Sequence, residues 1–144
     1  MRYSHKLSDA IHILAYVSIY RNDDLSSATI AASVESNPAL VRRLMGALRR
    51  AGLLTTQQGS ATPRLTRDPA TITLLDVYQA VEENGNLLHV DDKTNPKCVV
   101  GANIQDTLRE AYDEVQRAAE IQLKQQTLAQ IIAGILTRHH AKTQ

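Results

Sequence analysis

Hydrophobic residues in the first fifty positions recur with the period of an α-helix, in three separate stretches. The first stretch places Leu7, Ala10, Ile11, Leu14 and Val17 at the spacing of one buried stripe. We expect Ser4 to cap this helix and the helix to end near Tyr20. After a polar turn at 21–24, Ser26 or Ser27 can cap a short second helix, whose inward residues are Ile30, Ala31 and Val34.

The third helical stretch opens with Asn37-Pro38 and is predicted to end at Gly52. Its inward residues are Val41, Leu44, Met45 and Leu48. Two short helices joined by a turn of about three residues indicate a helix-turn-helix. The outward residues of the second helix are then Ala39, Arg42, Arg43, Gly46 and Arg50. In this motif the N-terminal half of that helix enters a major groove.

The segments 53–58 and 64–66 flank a turn with glycine and proline and predict a β-hairpin, although Pro63 restricts its pairing. A hairpin that follows a recognition helix is a wing. Thr73 and Asp76 have the spacing of a capping box for a helix through Glu82 or Glu83. The segment 84–86 ends that helix, since Asn and Gly tolerate the left-handed conformation.

A polar connection at 86–97 leads to a long helix predicted over 101–124. Its apolar seam exceeds what a small winged domain needs for its own core, so we interpret it as a dimerisation helix. The predicted interface residues are Ile104, Leu108, Tyr112, Val115 and Ala119. A satellite helix over 127–138 is expected to cover it. The alternative is a monomer in which the long helix folds back on the domain.

Charge is divided unevenly along the chain, although the whole chain carries only +1. Residues 1–67 have a net charge of +5 (9 Lys and Arg, 4 Asp and Glu), and residues 68–144 have −4 (7 and 11). The interval 42–67 contains six arginines and no acidic residue. Such segregation points to a part that binds a polyanion, and the alternative is a solvated basic face.

Composition and motifs exclude several classes of protein. The longest nearly apolar run, 128–136, is too short to span a bilayer, and no signal-type segment opens the chain, so we expect a soluble, cytoplasmic protein with no membrane partner. One cysteine cannot form an internal disulfide or supply the usual four ligands of a zinc or iron–sulfur site. The sequence lacks a nucleophile elbow, a phosphate loop and a His-Glu-x-x-His helix, which argues against an enzyme.

An ordered set of short motifs runs along nearly the whole chain. It comprises Tyr3-Ser4, Asp9-Ala10, Leu14-Ala15-Tyr16, Ile30-Ala31, Asn37-Pro38-Ala39-Leu40-Val41, Ala51-Gly52-Leu53, Asp68-Pro69, Ile72-Thr73-Leu74-Leu75-Asp76-Val77, Val81-Glu82 and Cys98 with Val100-Gly101. No single motif is specific, but the ordered set resembles the Rrf2 family of winged-helix transcription regulators, the group that includes IscR, NsrR and CymR.

The resemblance implies a homodimer that binds double-stranded DNA through the helix-turn-helix and the wing. The DNA-binding residues that it implies are Asn37, Ala39, Leu40, Arg42, Arg43, Gln58 and Gly59. Ser27 and Arg64 are further candidates for contact with DNA. The family often has polar residues where this chain has Arg42 and Arg43. An arginine fork pairs with guanine O6 and N7, so this pair should favour guanine or else strengthen phosphate contact.

The chain departs from the family pattern in its wing and in its cysteines. The wing tip lacks the usual glycine-rich turn and aromatic residue, and Arg64 is expected to substitute by charge. Cluster-binding members carry three cysteines before the long helix, whereas this chain has only Cys98, so we infer no cluster, no metal site and no cofactor. Cys98 is a candidate redox site beside a helix N-terminus, and the alternative is an inert, partly buried thiol.

These observations predict a mainly α fold with a small β-hairpin wing. We expect a winged helix-turn-helix domain at 1–83, a connection at 84–100 and dimerisation helices at 101–144. The predicted function is a DNA-binding transcription regulator, a repressor that binds a palindromic operator as a homodimer and that an unidentified small molecule or protein can control. The alternative is a partner- or ligand-sensing adaptor on a winged-helix scaffold with little or no specific DNA binding.

Overall fold

The computed structural model describes residues 4–56, 62–82 and 85–143. Along the chain lie the helices α1 (Lys6–Ile19), α2 (Ser27–Val34) and α3 (Pro38–Arg50), the strands β1 (Leu54–Thr56) and β2 (Pro63–Leu65), a short 3-10 helix (Pro69–Thr71), and the helices α4 (Leu74–Val81), α5 (Val99–Lys124) and α6 (Leu128–Lys142). The mainly α architecture with a two-stranded antiparallel hairpin is the one that the sequence predicts. None of the helices in these ranges is long and apolar enough to cross a bilayer.

The start of α1 differs by one residue from the predicted position. His5 is the N-cap and makes no capping hydrogen bond with its side chain, so the prediction of Ser4 as N-cap is wrong. The Ser4 hydroxyl accepts a hydrogen bond from the Lys6 backbone N–H at 3.2 Å and donates one to Glu82 Oε1 at 3.1 Å. Ser4 therefore joins the start of α1 to the end of α4.

The core is formed where one stripe of each short helix meets the hairpin. The predicted inward residues of α3 are all buried, and those of α1 and α2 are buried or partly buried. The largest fully buried side chains from these helices are Ile13, Leu14, Val17, Ile30, Val41 and Leu48. Burial of one such aliphatic side chain contributes roughly 1.5–3 kcal/mol, so this shared core holds the helices in place.

The end of α3 is closed by the predicted left-handed glycine. Gly52 has φ 79°, and its N–H donates to the carbonyl of Arg49 at 3.0 Å while the N–H of Leu53 donates to the carbonyl of Leu48 at 2.9 Å. These two bonds form a Schellman motif. The chain is thereby turned directly from α3 into β1, and Leu53 and Leu54 enter the core.

Helix α6 packs on α1 and the 3-10 helix. The expectation that it covers the long helix is therefore wrong. Backbone hydrogen bonds give the reason, since Leu74 N–H donates to Gln126 O at 2.9 Å and Leu128 N–H donates to Ile72 O at 2.8 Å. A capping box at Thr127 then starts α6 in the direction of α1, and Leu128 is fully buried in the core.

The long helix α5 begins at Val99, two residues before the predicted start. All of its 26 residues are described, and not one of them is buried. It contacts α4, and Gln116 ties it to the connection: the side-chain amide donates to Gly85 O at 2.7 Å and accepts from Leu87 N–H at 2.9 Å. Helix α5 thus extends away from the core and packs on its own chain mainly through α4 and Gln116.

Candidate nucleic-acid interface

The turn between α2 and α3 fixes the direction of the second helix of the motif. Glu35 has the left-handed backbone conformation, with φ 58°, and ends α2. Two residues later Asn37 caps α3, because its side-chain oxygen accepts a hydrogen bond from Leu40 N–H at 2.8 Å. Pro38 occupies the first turn of the helix. The local sequence therefore determines where α3 starts, as predicted from Asn37-Pro38.

The exposed face of α3 carries the predicted reading residues. Asn37, Ala39, Arg42 and Arg43 are exposed, while Leu40 is half-buried and packs against the core. The expected exposure of Arg42 and Arg43 is confirmed, because Val41, Leu44, Met45 and Leu48 occupy the buried stripe. Leu40 lies at the edge of this face, so it presents less surface to a ligand than its neighbours do.

Four arginines of α3 are available to a polyanion. Arg42, Arg43, Arg49 and Arg50 are exposed, and within the described residues none of them forms an ion pair. Arg67 differs from them, since its guanidinium forms an ion pair with Asp76 at 2.9 Å and lies within hydrogen-bond distance of Thr71 O. Arg67 therefore stabilises the start of α4. The free positive charge is concentrated on α3 instead of extending over the whole interval 42–67.

The wing is short, and the described part of it is well paired. Leu54 is opposite Leu65, Thr55 is opposite Arg64, and Thr56 is opposite Pro63. Arg64 is half-buried, and its guanidinium donates to the carbonyl oxygen of Pro63 at 3.0 Å. The predicted contact residues Gln58 and Gly59 lie outside the described residues.

The start of α2 is held by hydrogen bonds around Asp24. Ser26 is the N-cap, and its hydroxyl accepts from Thr29 N–H at 3.2 Å. Ser27 is the first helical residue and is half-buried. The Asp24 carboxylate accepts from Thr29 Oγ1 at 2.7 Å and from Ser26 N–H at 2.9 Å, and these bonds lower the pKa of Asp24. These local bonds fix where α2 begins.

The predicted dimerisation residues lie along one side of α5. Ile104, Leu108, Tyr112 and Ala119 are half-buried, and Val115 is 49% exposed. Their spacing of three or four residues forms a continuous stripe. Sequence reasoning missed Gln116, which holds the connection on this helix, because a glutamine among polar residues of a long helix gives no signal of its partners.

The donor residues do not fit a bound iron ion or cluster. Cys98 is exposed at the start of α5, where backbone N–H groups of Gly101 and Val100 lower the pKa of its thiol. Throughout 4–56, 62–82 and 85–143, no three His, Cys, Asp or Glu side chains come together as metal ligands. A redox role of Cys98 stays a prediction.

A capped helix-turn-helix with free arginines on its second helix, followed by a two-stranded wing, defines a winged-helix DNA-binding protein. The family model of Rrf2, described as an iron-dependent transcriptional regulator, matches residues 3–134. The chain belongs to the Rrf2 family and is a DNA-binding transcription regulator. The family and its homologues are transcription regulators and not enzymes.

Three relatives show how closely the chain follows known members. YwnA of Bacillus subtilis (strain 168), assigned to the HTH-type transcriptional regulators, is 42% identical over 127 residues, which are 88% of this chain and 94% of YwnA. The crystal structure of a protein assigned as DNA-binding has a TM-score of 0.72 and 40% identity, covering 88% of this chain and 98% of that one. CymR, the global cysteine regulator of B. subtilis, shares the fold, with a TM-score of 0.65, 20% identity and coverage of 92% and 97%.

Proposed function

We propose that this regulator is a homodimeric repressor that inserts α3 of each subunit into a major groove and occludes a roughly palindromic operator. The observation that carries the proposal is the pair of free arginines, Arg42 and Arg43, on the exposed N-terminal half of α3. Half-sites about one helical turn apart would match a two-fold symmetric protein. Chromosomal DNA as the target fits the cytoplasmic location expected from the sequence.

The roles of the individual residues follow from their positions. Asn37 and Ala39 would face base edges, Arg42 and Arg43 would contact either a guanine or a phosphate, and Leu40 would lie at the margin of the contact. Ser27 stands in the first turn of α2, where free backbone N–H groups favour a phosphate oxygen. Gln58, Gly59 and Arg64 of the wing would contact the minor groove or the backbone. The bond from Arg64 to the Pro63 carbonyl would have to open for the side chain to reach DNA.

The dimer would form through α5. A helix of 26 residues that buries none of them in its own chain leaves apolar area for a second copy to cover. Val115, on the predicted stripe, is 49% exposed, and a monomer would leave this side chain in water. In this proposal the chain is divided into a winged domain at 1–83, a connection at 84–100 and dimerisation helices at 101–144. Helix α6, in the last of these segments, also packs on α1 of the winged domain.

Selection of bound fragments from the total DNA of the source cell tests the proposal. The full-length protein should enrich one motif with two inverted halves. A variant with Arg42→Ala and Arg43→Ala should enrich it weakly or not at all. A matched control with Arg138→Ala and Lys142→Ala removes the same charge from exposed positions of α6 and should retain the motif.

Two outcomes would contradict the proposal. Enrichment of no motif by the wild-type protein would favour an adaptor that uses the scaffold without reading sequence. A motif without inverted symmetry would argue against binding as a symmetric dimer. Placing the selected operator upstream of a reporter gene then tests repression, since a repressor lowers transcription when the protein is supplied.

A further inference from the structure

An open groove of about 430 Å³ lies beside α1, bordered by α2 and by α6. Ile11 and Ile135 form its aliphatic wall, and Tyr16 and Tyr20 form an aromatic one. The two tyrosine rings contact each other, with their centroids 4.6 Å apart and their planes tilted by 34°. Tyr20 and Ile135 remain 45% and 43% exposed, so the groove presents apolar surface to the solvent.

One polar pair interrupts this apolar lining. His12 Nε2 on α1 and Ser33 Oγ on α2 share a hydrogen bond of 2.8 Å, and both residues border the groove. A hydroxyl keeps additional hydrogen-bonding capacity when it makes a single bond. The pair can therefore bind one polar group of a molecule that occupies the groove.

The lining also determines the charge and size of an occupant. None of the described residues that line the groove is Asp, Glu, Lys or Arg, so no permanently charged side chain compensates an ionised ligand. Sites for small molecules typically have volumes of about 300–1,000 Å³, mostly apolar walls and a few placed polar groups. The tyrosine surface in the groove favours a flat aromatic ring, because aromatic pairs gain energy in offset or edge-to-face arrangements.

The groove also adjoins the DNA-reading motif. Ser33 lies two residues before Glu35, the left-handed residue that ends α2, and four residues before Asn37, the cap of α3. A ligand bonded to Ser33 would thus act directly on the helix and the turn that set the position of α3. This coupling rests on the proposed function, whereas binding to the groove does not.

We propose that this groove is an effector site for a neutral, planar aromatic molecule that bears one hydrogen-bonding group, held between the tyrosine pair and Ile135 with its polar group on His12 and Ser33. The occupant controls DNA binding through α2. A second copy of the chain is the competing occupant, and the test separates it from a small molecule.

The probe is 2-naphthol, with naphthalene and 2-naphthalenesulfonate as matched compounds that lack the hydroxyl or add a negative charge. The chain has no Trp, so naphthol fluorescence can be followed selectively. Wild-type protein should bind 2-naphthol saturably, with a Kd on the order of 0.1 mM, as expected for about ten heavy atoms at moderate efficiency. The sulfonate should not bind.

Variants assign the binding to the groove. Ser33→Ala, at an exposed helical position, should weaken 2-naphthol binding roughly 3- to 10-fold and leave naphthalene binding unchanged, because only the hydrogen bond is lost. Tyr20→Ala should weaken both compounds. Ser18→Ala on α1, which does not line the groove, should alter neither. If 2-naphthol does not bind saturably, or if Ser33→Ala and Ser18→Ala change its Kd equally, then the groove is not its binding site.

The remaining experiments distinguish the effector site in the groove from the proposed DNA-binding function. Saturating 2-naphthol should change the Kd for the selected DNA at least about 3-fold in wild-type protein and leave it unchanged in Tyr20→Ala. Naphthol binding without this change would overturn the effector role. A protein that binds no DNA either with or without naphthol would contradict the proposed function, whereas the naphthol titration would still test the groove. Loss of a dimer in Ile135→Asp, together with no naphthol binding in wild type, would assign the groove to a second copy.

Discussion

Replacement of Arg42 and Arg43 by alanine should change how DNA affinity depends on salt. Each arginine that neutralises a phosphate contributes about 0.9 to the slope of log K against log[salt]. A dimer loses four such charges, so the slope should fall in magnitude by up to about 3.6. Both side chains are exposed on α3 and take part in no ion pair within the described residues, so their charge is available to DNA in full.

The size of this change also reports the stoichiometry. When salt is raised from 50 to 200 mM, a slope difference of about 3.6 means that the wild-type protein loses roughly 150-fold more DNA affinity than the variant does. If the protein bound as a monomer, only two arginines would be removed, and the corresponding difference in affinity loss would be about 12-fold. An arginine that instead pairs with guanine should reduce discrimination at that base pair by about 1–3 kcal/mol.

Fluorescence anisotropy of a labelled duplex, titrated at four or more salt concentrations, measures both quantities. The duplex carries the selected operator or the same operator with each guanine replaced in turn. Circular dichroism confirms that the variant is folded. If the slope and the discrimination are both unchanged in the double variant, then the N-terminal half of α3 is not the reading face.

Three further predictions concern residues outside the reading face of α3. Val115→Asp should convert dimers to monomers in sedimentation, because each buried carboxylate would cost at least about 2 kcal/mol. Gly101→Ala should destabilise the protein by roughly 1–3 kcal/mol in urea unfolding, since a methyl group there would overlap the Asn95 carbonyl. Asp24→Ala should destabilise the protein at neutral pH and lose this effect in acid. The folded-state pKa of Asp24 lies below the ordinary 3.8, so the stabilisation is complete above that value and disappears as the pH falls through the lowered pKa.

Matched controls accompany these three variants. Asn103→Asp adds the same charge at an exposed polar position of α5 that lies away from the stripe, and it should leave the dimer intact. Gly46→Ala lies in a helix where only the flexible Arg50 side chain is near, so it should be neutral or stabilising by about 0.5–1 kcal/mol. Asp23→Ala removes a carboxylate without a hydrogen bond among the described residues, and its effect should not follow the pH profile of Asp24. If Val115→Asp still forms dimers, then Val115 does not lie in the dimer interface. If Gly101→Ala leaves the stability unchanged, then the close approach to Asn95 is contradicted. If the effect of Asp24→Ala does not depend on pH, then the hydrogen bonds to the Asp24 carboxylate do not contribute to stability.

The local parts of the fold could be predicted from the sequence because their causes are local. The capping box of Thr73 and Asp76, the Asn37 cap and the left-handed Gly52 each depend on residues within about four positions. The same is true of the buried stripe that leaves Arg42 and Arg43 exposed. These features define the helix-turn-helix and hence the reading face.

The parts that sequence reasoning missed depend on contacts between distant segments. Helix α6 turns toward α1 because residues 126–128 form backbone bonds with 72–74, which no side-chain pattern reveals. Arg67 is withdrawn from the basic surface by Asp76, nine positions away across the 3-10 helix. Counting charges could therefore locate the basic part but could not identify which arginines remain free.

The most direct test of the central claim is guanine N7 protection by the protein on the selected operator. N7 lies in the major groove, so a recognition helix bound there shields it from methylation. We expect two protected clusters related by inverted symmetry and about one helical turn apart, with protection lost in the Arg42→Ala and Arg43→Ala protein. One cluster alone, no protection of the bound operator, or protection unchanged in that variant would contradict the claim that α3 reads DNA from a symmetric dimer.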